Sequence, residues 1–97
     1  MRESLDEPVS IIFYYDAARR HGQPYQATWR GQDYRLGKVD FWHKTRRGDV
    51  LTHHFSLGDK AGTVYFKLGL NATTLQWVVE EFMTADQMEV VYERSAA

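Results

Sequence analysis

The strictest pattern in the chain is a two-residue alternation over residues 63–70. Its apolar members stand at every second position: Val64, Phe66, Leu68 and Leu70. A period of two places them on one face of a β-strand and leaves Thr63, Tyr65 and Lys67 on the other. Residues 50–57 alternate in the same way, and Gly58 to Gly62 between the two segments is rich in turn-forming residues. The two segments therefore predict a β-hairpin.

Three more strands are predicted upstream of this hairpin. Residues 9–15 are β-branched and aromatic and follow Pro8; residues 25–30 alternate, with Tyr25, Ala27 and Trp29 on one face. A polar loop over 16–23 separates them, and a turn at Arg30-Gly31-Gln32-Asp33 leads into a long strand over 34–44. The apolar phase of this long strand changes at Gly37-Lys38. Such a break predicts a bend or bulge, which is how small sheets curl toward closure.

The segment from Leu75 to Thr84 fits two structures. A helix would place Val78, Val79 and Phe82 on one stripe, behind a capping box formed by Thr73 and Gln76. A strand is favoured by the Trp and paired Val content, and we favour the strand. The tail from Met88 to Glu93 alternates again, so it predicts an edge strand through which two copies of the chain could pair as a homodimer.

These segments together predict the fold. We expect a mainly β single domain, ordered over about 8–84, in which an antiparallel meander of five or six strands curls into a small half-open or closed barrel with at most one short helix. The predicted core consists of Ile11, Phe13, Trp29, Leu36, Phe55, Val64, Phe66 and Leu68. A length of 97 residues leaves room for one domain.

Composition excludes several classes of protein. The chain has no cysteine, so a disulfide framework, a thiolate metal site and a cysteine nucleophile are impossible. The first ten residues are charged where a signal peptide is apolar, and no apolar run approaches membrane-spanning length. We therefore expect a cytoplasmic protein that makes no contact with membranes.

The order of short motifs resembles a family of small bacterial β-domains of unknown function. The motifs are Glu7-Pro8, Pro24-Tyr25, Trp29-Arg30-Gly31 with Tyr34-Arg35-Leu36, Phe41-Trp42, His53-His54-Phe55, Phe66-Lys67-Leu68 and Trp77-Val78-Val79. Some members of that family are fused to catalytically inert relatives of translesion polymerases. The resemblance implies a non-catalytic module connected with DNA-damage tolerance. This chain departs from it in a longer loop at Asp16–Gln23 and in an acidic tail after Met83.

Catalytic and metal-binding patterns are weak in this sequence. His53 and His54 are adjacent, so on a strand they point to opposite faces and cannot share one metal ion. No serine stands in a Gly-x-Ser-x-Gly elbow, and no glycine-rich phosphate loop is present. We therefore expect no enzyme activity, no cofactor and no metal.

The charges are sorted along the chain. Residues 19–67 hold ten cations against four carboxylates, whereas both flanking segments are acidic. The basic middle also carries aromatic rings, and cations with stacking rings are what single-stranded nucleic acid binds. We expect binding residues among Arg30, Tyr34, Arg35, Trp42, Lys44, Arg46, Arg47, Tyr65 and Lys67. The favoured hypothesis is docking on an unknown protein partner through exposed aromatics; direct binding of single-stranded nucleic acid is the alternative.

Overall fold

A computed structural model of the chain describes residues 4–86, in which all seven secondary-structure elements are strands. In chain order they are β1 (Glu7–Pro8), β2 (Ser10–Asp16), β3 (His21–Trp29), β4 (Gln32–Arg47), β5 (Val50–Asp59), β6 (Val64–Asn71) and β7 (Trp77–Thr84). They form one antiparallel sheet in the order β1-β7-β6-β5-β4-β3-β2. The predicted antiparallel meander is therefore confirmed.

The two ends of the sheet are joined by the N-terminal segment. Strands β1 and β2 lie at opposite ends of the strand order, yet only Val9 separates them in the chain. Glu7 pairs with Val79 of β7, whereas Ser10 pairs with Thr28 of β3. The sheet thus curls into a half-barrel whose first and last strands meet at one continuous segment. This division of the N-terminal strand brings the count to seven, above the predicted five or six.

The predicted phase break in β4 is a pair of register shifts. Leu36 lies opposite Asp59, Val39 opposite Leu57 and Phe41 opposite Ser56, so β4 carries extra residues on both sides of Val39. The β3–β4 ladder ends at the pair Gln26 and Arg35, just before this point. The remainder of β4 therefore leaves β3 and follows β5 alone, which opens the half-barrel at one end.

The β3–β4 hairpin is explained by the geometry of its two-residue turn. Arg30 and Gly31 form the β3–β4 turn with φ values of 51° and 75°. Positive φ at both central residues is the type I′ arrangement, which matches the twist of the flanking strands.

The predicted loop over 16–23 is shorter than expected, because β3 begins at His21 and only residues 17–20 form the turn.

The core lies on the concave face of the sheet, which we call the inner face. Its buried residues are Ala27, Trp29, Leu36, Phe55, Leu57, Val64, Phe66, Leu68 and Val79. Ile11 is only partly buried, and the prediction of Phe13 as core is wrong because 45% of this residue is exposed. Phe13 does point to the inner face, but it stands at the open end of the half-barrel, where its contacts with Gly22 of β3 and Trp77 of β7 leave the ring partly uncovered.

The ambiguous segment is a strand. Trp77–Thr84 pairs with β6, with Trp77 opposite Leu70 and Val79 opposite Leu68. If residues 77–84 formed a helix, the edge of β6 that faces away from β5 would have no strand partner. Pairing with β6 therefore outweighs the burial of the apolar stripe that a helix would present. The predicted edge strand Met88–Glu93, and with it the predicted homodimer contact, lies outside the described residues. Within residues 4–86 no helix is long and apolar enough to cross a bilayer.

Candidate binding site

An apolar cleft of about 460 Å³ occupies the open end of the half-barrel. We call it the mouth cleft and define it by its lining residues: Phe13, Tyr15, Arg20, His21, Gly22, Val39, Trp42, His53, Phe55 and Leu70. They come from the β2–β3 hairpin on one side and from β4, β5 and β6 on the other. Mouths of β-barrels are a common position for ligand sites.

Strand register places these side chains on the inner face. Trp42 lies directly opposite Phe55, and His53 lies opposite Leu70. Residues that are opposite in an antiparallel ladder share a face, so the four side chains continue the core outward into the cleft. Trp42 nevertheless remains 48% exposed, because the hairpin arm of β2 and β3 has diverged from β4 at this level.

Aromatic contacts fix the walls of the mouth cleft. The rings of Phe13 and Trp77 are 6.2 Å apart, and those of Trp77 and Phe55 are 5.6 Å apart. Trp42 stacks on His53 with centroids 5.9 Å apart, and its Nε1–H donates a hydrogen bond of 3.3 Å to His53 Nδ1. The hydrogen bond and the stacking fix the orientation of the Trp42 indole at the edge of the cleft.

Gly22 gives the cleft its depth on the hairpin side. A Cβ atom at this position would lie 2.7 Å from Cε1 of Phe13 and 3.3 Å from Cδ1 of Tyr15. Both rings therefore lie close to the backbone of β3 at a distance that only a glycine allows. Any larger residue would push the Phe13 ring toward the cleft or out of it.

The lining of the mouth cleft holds one formally charged side chain, the cation Arg20, and no carboxylate of residues 4–86 is among its lining residues. Lys44, opposite His53 in the ladder, holds its Nζ atom 5.6 Å from the centre of the Trp42 ring. This combination of aromatic walls and a cationic rim suits an apolar group that carries negative charge beside it.

The structure divides the residues that the sequence predicts as binding candidates. Trp42 lines the mouth cleft and Lys44 lies beside it, whereas Arg35 lies near the start of β4 and Arg30 in the turn before it. Arg46 and Arg47 end β4 at its hairpin turn. These five cations are thus spread along the 16 residues of β4 and the turn before it, and they do not form a single patch.

Arg30 and Arg35 are engaged within the fold. Arg30 donates two hydrogen bonds to the Glu7 carboxylate, of 2.9 and 2.5 Å, and lies 4.3 Å above the ring of Trp29. These hydrogen bonds and the charge of Arg30 lower the pKa of Glu7. Arg35 lies 4.4 Å from the Tyr25 ring centre and donates a hydrogen bond to the Tyr25 hydroxyl. Both arginines thus have partners within the chain already.

The remaining candidates lie elsewhere. The ring of Tyr34 packs against Phe66 at 5.1 Å, so it belongs to the core boundary. Tyr65 is half-buried, and both burial and the nearby Asp40 raise its pKa, while a hydrogen bond to Ser56 acts in the opposite direction. Lys67 pairs across the sheet with Glu81 of β7. None of the three lines the mouth cleft.

Sequence reasoning misses most of the residues that line this cleft. It does not single out Tyr15, Gly22, His53 or Leu70 as binding residues, and it assigns Phe13 to the core. One signal could have indicated the site: Ile12, Phe13, Tyr14 and Tyr15 give β2 large apolar side chains on both faces. A single sheet covers one face of such a strand, so large apolar side chains on both faces indicate that β2 carries exposed apolar surface, although they do not indicate which face lines the cleft.

A hydrogen-bonded chain of side chains crosses the outer, convex face. His54 Nδ1 lies 2.8 Å from Glu80 Oε1, and His54 Nε2 lies 2.7 Å from Thr45 Oγ1. The His43 ring stacks on His54 at 4.6 Å. Gly69 leaves room for this chain, since a Cβ there would lie 3.0 Å from Glu80 Oε2. The chain links β4, β5 and β7, and we assign it a structural role.

Within residues 4–86 no group of three or more His, Asp or Glu side chains is placed so that it could hold a metal ion.

Comparison of the chain with protein-family models, with curated proteins and with solved structures finds no match.

Proposed function

We propose that the chain is a non-catalytic interaction module that docks on a protein partner through the mouth cleft. The carrying observation is an open cleft whose aromatic walls remain close to half exposed: Phe13 at 45%, Trp42 at 48% and Tyr15 at 59%. Rings held in place by stacking and by a glycine lose little conformational freedom on binding. Such rings are what interface hot spots consist of.

The charge of the cleft supports an acidic partner. Its lining residues include no carboxylate within 4–86, whereas Arg20 and Lys44 lie at its rim. A rim of one sign speeds the encounter with a partner of the opposite sign and disfavours partners of the same sign. A link to DNA-damage tolerance rests on the motif resemblance alone.

Peptide selection tests this function and identifies the preferred sequence of the partner at the same time. A display library of random nonapeptides is panned on the immobilised protein, and the enriched peptides are titrated by fluorescence anisotropy. We expect Phe13→Ala to weaken binding at least tenfold, since it removes one wall of the cleft. Tyr14→Ala is the matched control, because Tyr14 is next in sequence, is 58% exposed and points to the outer face.

The selection has a clear negative outcome. If panning yields no peptide whose binding depends on Phe13 while Tyr14→Ala leaves it intact, the mouth cleft is not a protein-docking site. Circular dichroism of each variant shows that the sheet has been retained.

Binding of single-stranded nucleic acid is a second candidate. The observation that favours it is the stacked pair of Trp42 and His53, which stands beside Lys44 and near Arg46. Base stacking on such a ring contributes about 1–3 kcal/mol per base, and the cations would follow the phosphates. A salt titration of oligonucleotide binding distinguishes this function from protein docking.

A further inference from the structure

One edge of β2 has no backbone partner among residues 4–86. β2 pairs with β3 on one side only. On the other side the Val9 N–H donates to the Trp77 carbonyl at 3.3 Å. Because Trp77 is the first residue of β7 and the two strands are antiparallel, β7 does not extend alongside the later residues of β2. Backbone groups alternate in direction along a strand, so the N–H and C=O groups of Ile11, Phe13 and Tyr15 face the same way as those of Val9.

The position of Pro24 agrees with this direction. Pro24 lies opposite Phe13 in the β2–β3 ladder. Proline has no N–H to donate, and it is tolerated in a sheet where no ladder bond is required of it. The backbone groups of Phe13 are therefore directed away from β3. They face the open side of the half-barrel, next to the mouth cleft.

The side chains of β2 leave this edge unprotected. Ile12, Phe13, Tyr14 and Tyr15 are 55%, 45%, 58% and 59% exposed. Natural edge strands are usually guarded by lysine, proline or a bulge, because an unguarded edge pairs with other chains. Residues 10–16 contain no lysine, arginine or proline. The bulge in this ladder inserts Tyr25 into β3 and leaves β2 regular.

Strand β4 provides the contrast within the same sheet. Its far edge also lacks β3 beyond Arg35. That edge is interrupted by two register shifts and carries Lys38, Lys44 and Arg46. The edge of β4 therefore shows the protective features that β2 lacks.

We propose that β2 accepts an added strand: an extended segment of the partner pairs with the outward backbone groups of Ile11, Phe13 and Tyr15. Its side chains at every second position then enter the mouth cleft beside Phe13 and Tyr15. The cleft accepts apolar side chains, and Arg20 at its rim accepts an acidic residue at the adjacent end of the segment. This inference rests on the proposed function, and it specifies the conformation and chemistry of the partner.

Amide hydrogen exchange tests the added strand directly. The probe is the tightest nonapeptide selected on the protein, and exchange is followed by NMR for the free and the peptide-saturated chain. We expect the amides of Ile11, Phe13 and Tyr15 to exchange at least tenfold more slowly in the complex. N-methylation of the peptide at alternate positions should abolish binding, whereas N-methylation at the intervening positions should leave it within about threefold.

Two variants of one residue separate the backbone from the side chain. Tyr15→Ala and Tyr15→Pro both remove the ring, but only the proline removes the outward N–H. Because that N–H makes no bond to β3, both variants should keep the sheet. We expect Tyr15→Pro to bind the peptide at least tenfold more weakly than Tyr15→Ala.

The outcomes distinguish this inference from the function on which it rests. A peptide that depends on Phe13 but leaves the three amides unprotected overturns the added strand and keeps the docking function. Failure to select any peptide dependent on Phe13 overturns both. A dimer that forms with rising concentration, resists the peptide and is lost in Tyr15→Pro would assign the edge to a second copy of the chain, which also overturns the proposal.

Discussion

The ring of Phe13 lies against Gly22, so close that a Cβ atom on Gly22 would come within 2.7 Å of it. Phe13 is nevertheless 45% exposed. The contact therefore positions the ring without burying it. It fixes one wall of the mouth cleft at the point where the half-barrel opens.

Gly22→Ala should change the cleft more than the fold. The three atoms nearest to the added methyl group belong to the side chains of Phe13 and Tyr15, which can rotate toward solvent. We expect the free energy of unfolding to change by less than about 1 kcal/mol, while the affinity for cleft-binding peptides falls about tenfold. Thermal unfolding and fluorescence anisotropy measure the two effects. Gly58→Ala is the control, because its Cβ would lie 3.4 Å from the nearest atom and Gly58 does not line the cleft.

Salt dependence decides the nucleic-acid alternative. If Lys44, Arg46 and Arg47 contact phosphates, affinity for a single-stranded oligonucleotide should fall with salt at a logarithmic slope near −0.7 per contact. Replacing Arg46 and Arg47 by alanine should flatten that slope. Trp42→Ala should lower affinity with the slope unchanged, because stacking is not electrostatic. Arg30→Ala is the matched control, since Arg30 is paired with Glu7 at the opposite end of β4. No binding at high micromolar protein and low salt would end this alternative.

Among truncations of single core residues on the inner face, Phe66→Ala should lower the free energy of unfolding the most. Phe66 is fully buried, and its ring centroid lies 6.0, 5.1 and 5.3 Å from the ring centroids of Trp29, Tyr34 and Phe82. Removing it leaves a cavity among rings that cannot collapse into it, so we expect a loss of about 3–5 kcal/mol in urea unfolding. Phe41→Ala, at a residue 57% exposed, should change stability by less than about 0.5 kcal/mol. Equal losses for the two would contradict the assignment of the core.

Asp59 should make stability depend on acid. Partial burial alone would raise its pKa, but hydrogen bonds from the Thr63 hydroxyl and from the amides of Val64, Thr63 and Gly62 outweigh burial and lower the pKa below the ordinary 3.8. A carboxylate with a lowered folded-state pKa stabilises the fold above the unfolded-state pKa. That stabilisation is lost as pH falls through the lower value.

Asp59→Ala should therefore destabilise the chain at pH 7 and much less at the acid end. Hydrogen bonds to a charged group contribute about 1.5–3 kcal/mol, and we expect a loss of that order at pH 7. The difference from wild type should shrink as pH falls below the ordinary pKa of the carboxyl group. Asp59→Asn keeps an acceptor oxygen but cannot titrate, so its stability should vary less over this range than that of the wild type. A constant difference at all pH values would show that the ionised carboxylate is not what holds the turn.

The strands were predictable because their signals are local. The alternation over residues 63–70 and the phase break at Gly37 each depend on neighbours within a few positions, and both are confirmed as strand and bulge. The segment Trp77–Thr84 is harder, since its apolar residues fit two periods. Only pairing with the exposed edge of β6 selects the strand.

The candidate site is less predictable because it depends on what lies far away in sequence. Phe13 and Trp42 both carry apolar surface toward the inner face, and nothing local indicates that β2 and β4 diverge there. Burial of Phe13 is expected from its strand phase, whereas its exposure follows from the end of the β3–β4 ladder. Cations such as Arg30 look available for the same reason, because their partner Glu7 lies 23 positions away.

The N-terminal segment that joins both ends of the sheet also sets an order of assembly. Each hairpin from β2 to β6 can form as it leaves the ribosome, since its strands are neighbours in the chain. Glu7, by contrast, pairs with Val79, 72 positions later. The half-barrel therefore stays unclosed until the last strand has been translated. During that interval Phe66 and Leu68 lack the cover of β7. A nascent chain that stalls at this stage exposes two unpaired strand edges, which makes it prone to aggregate with other chains.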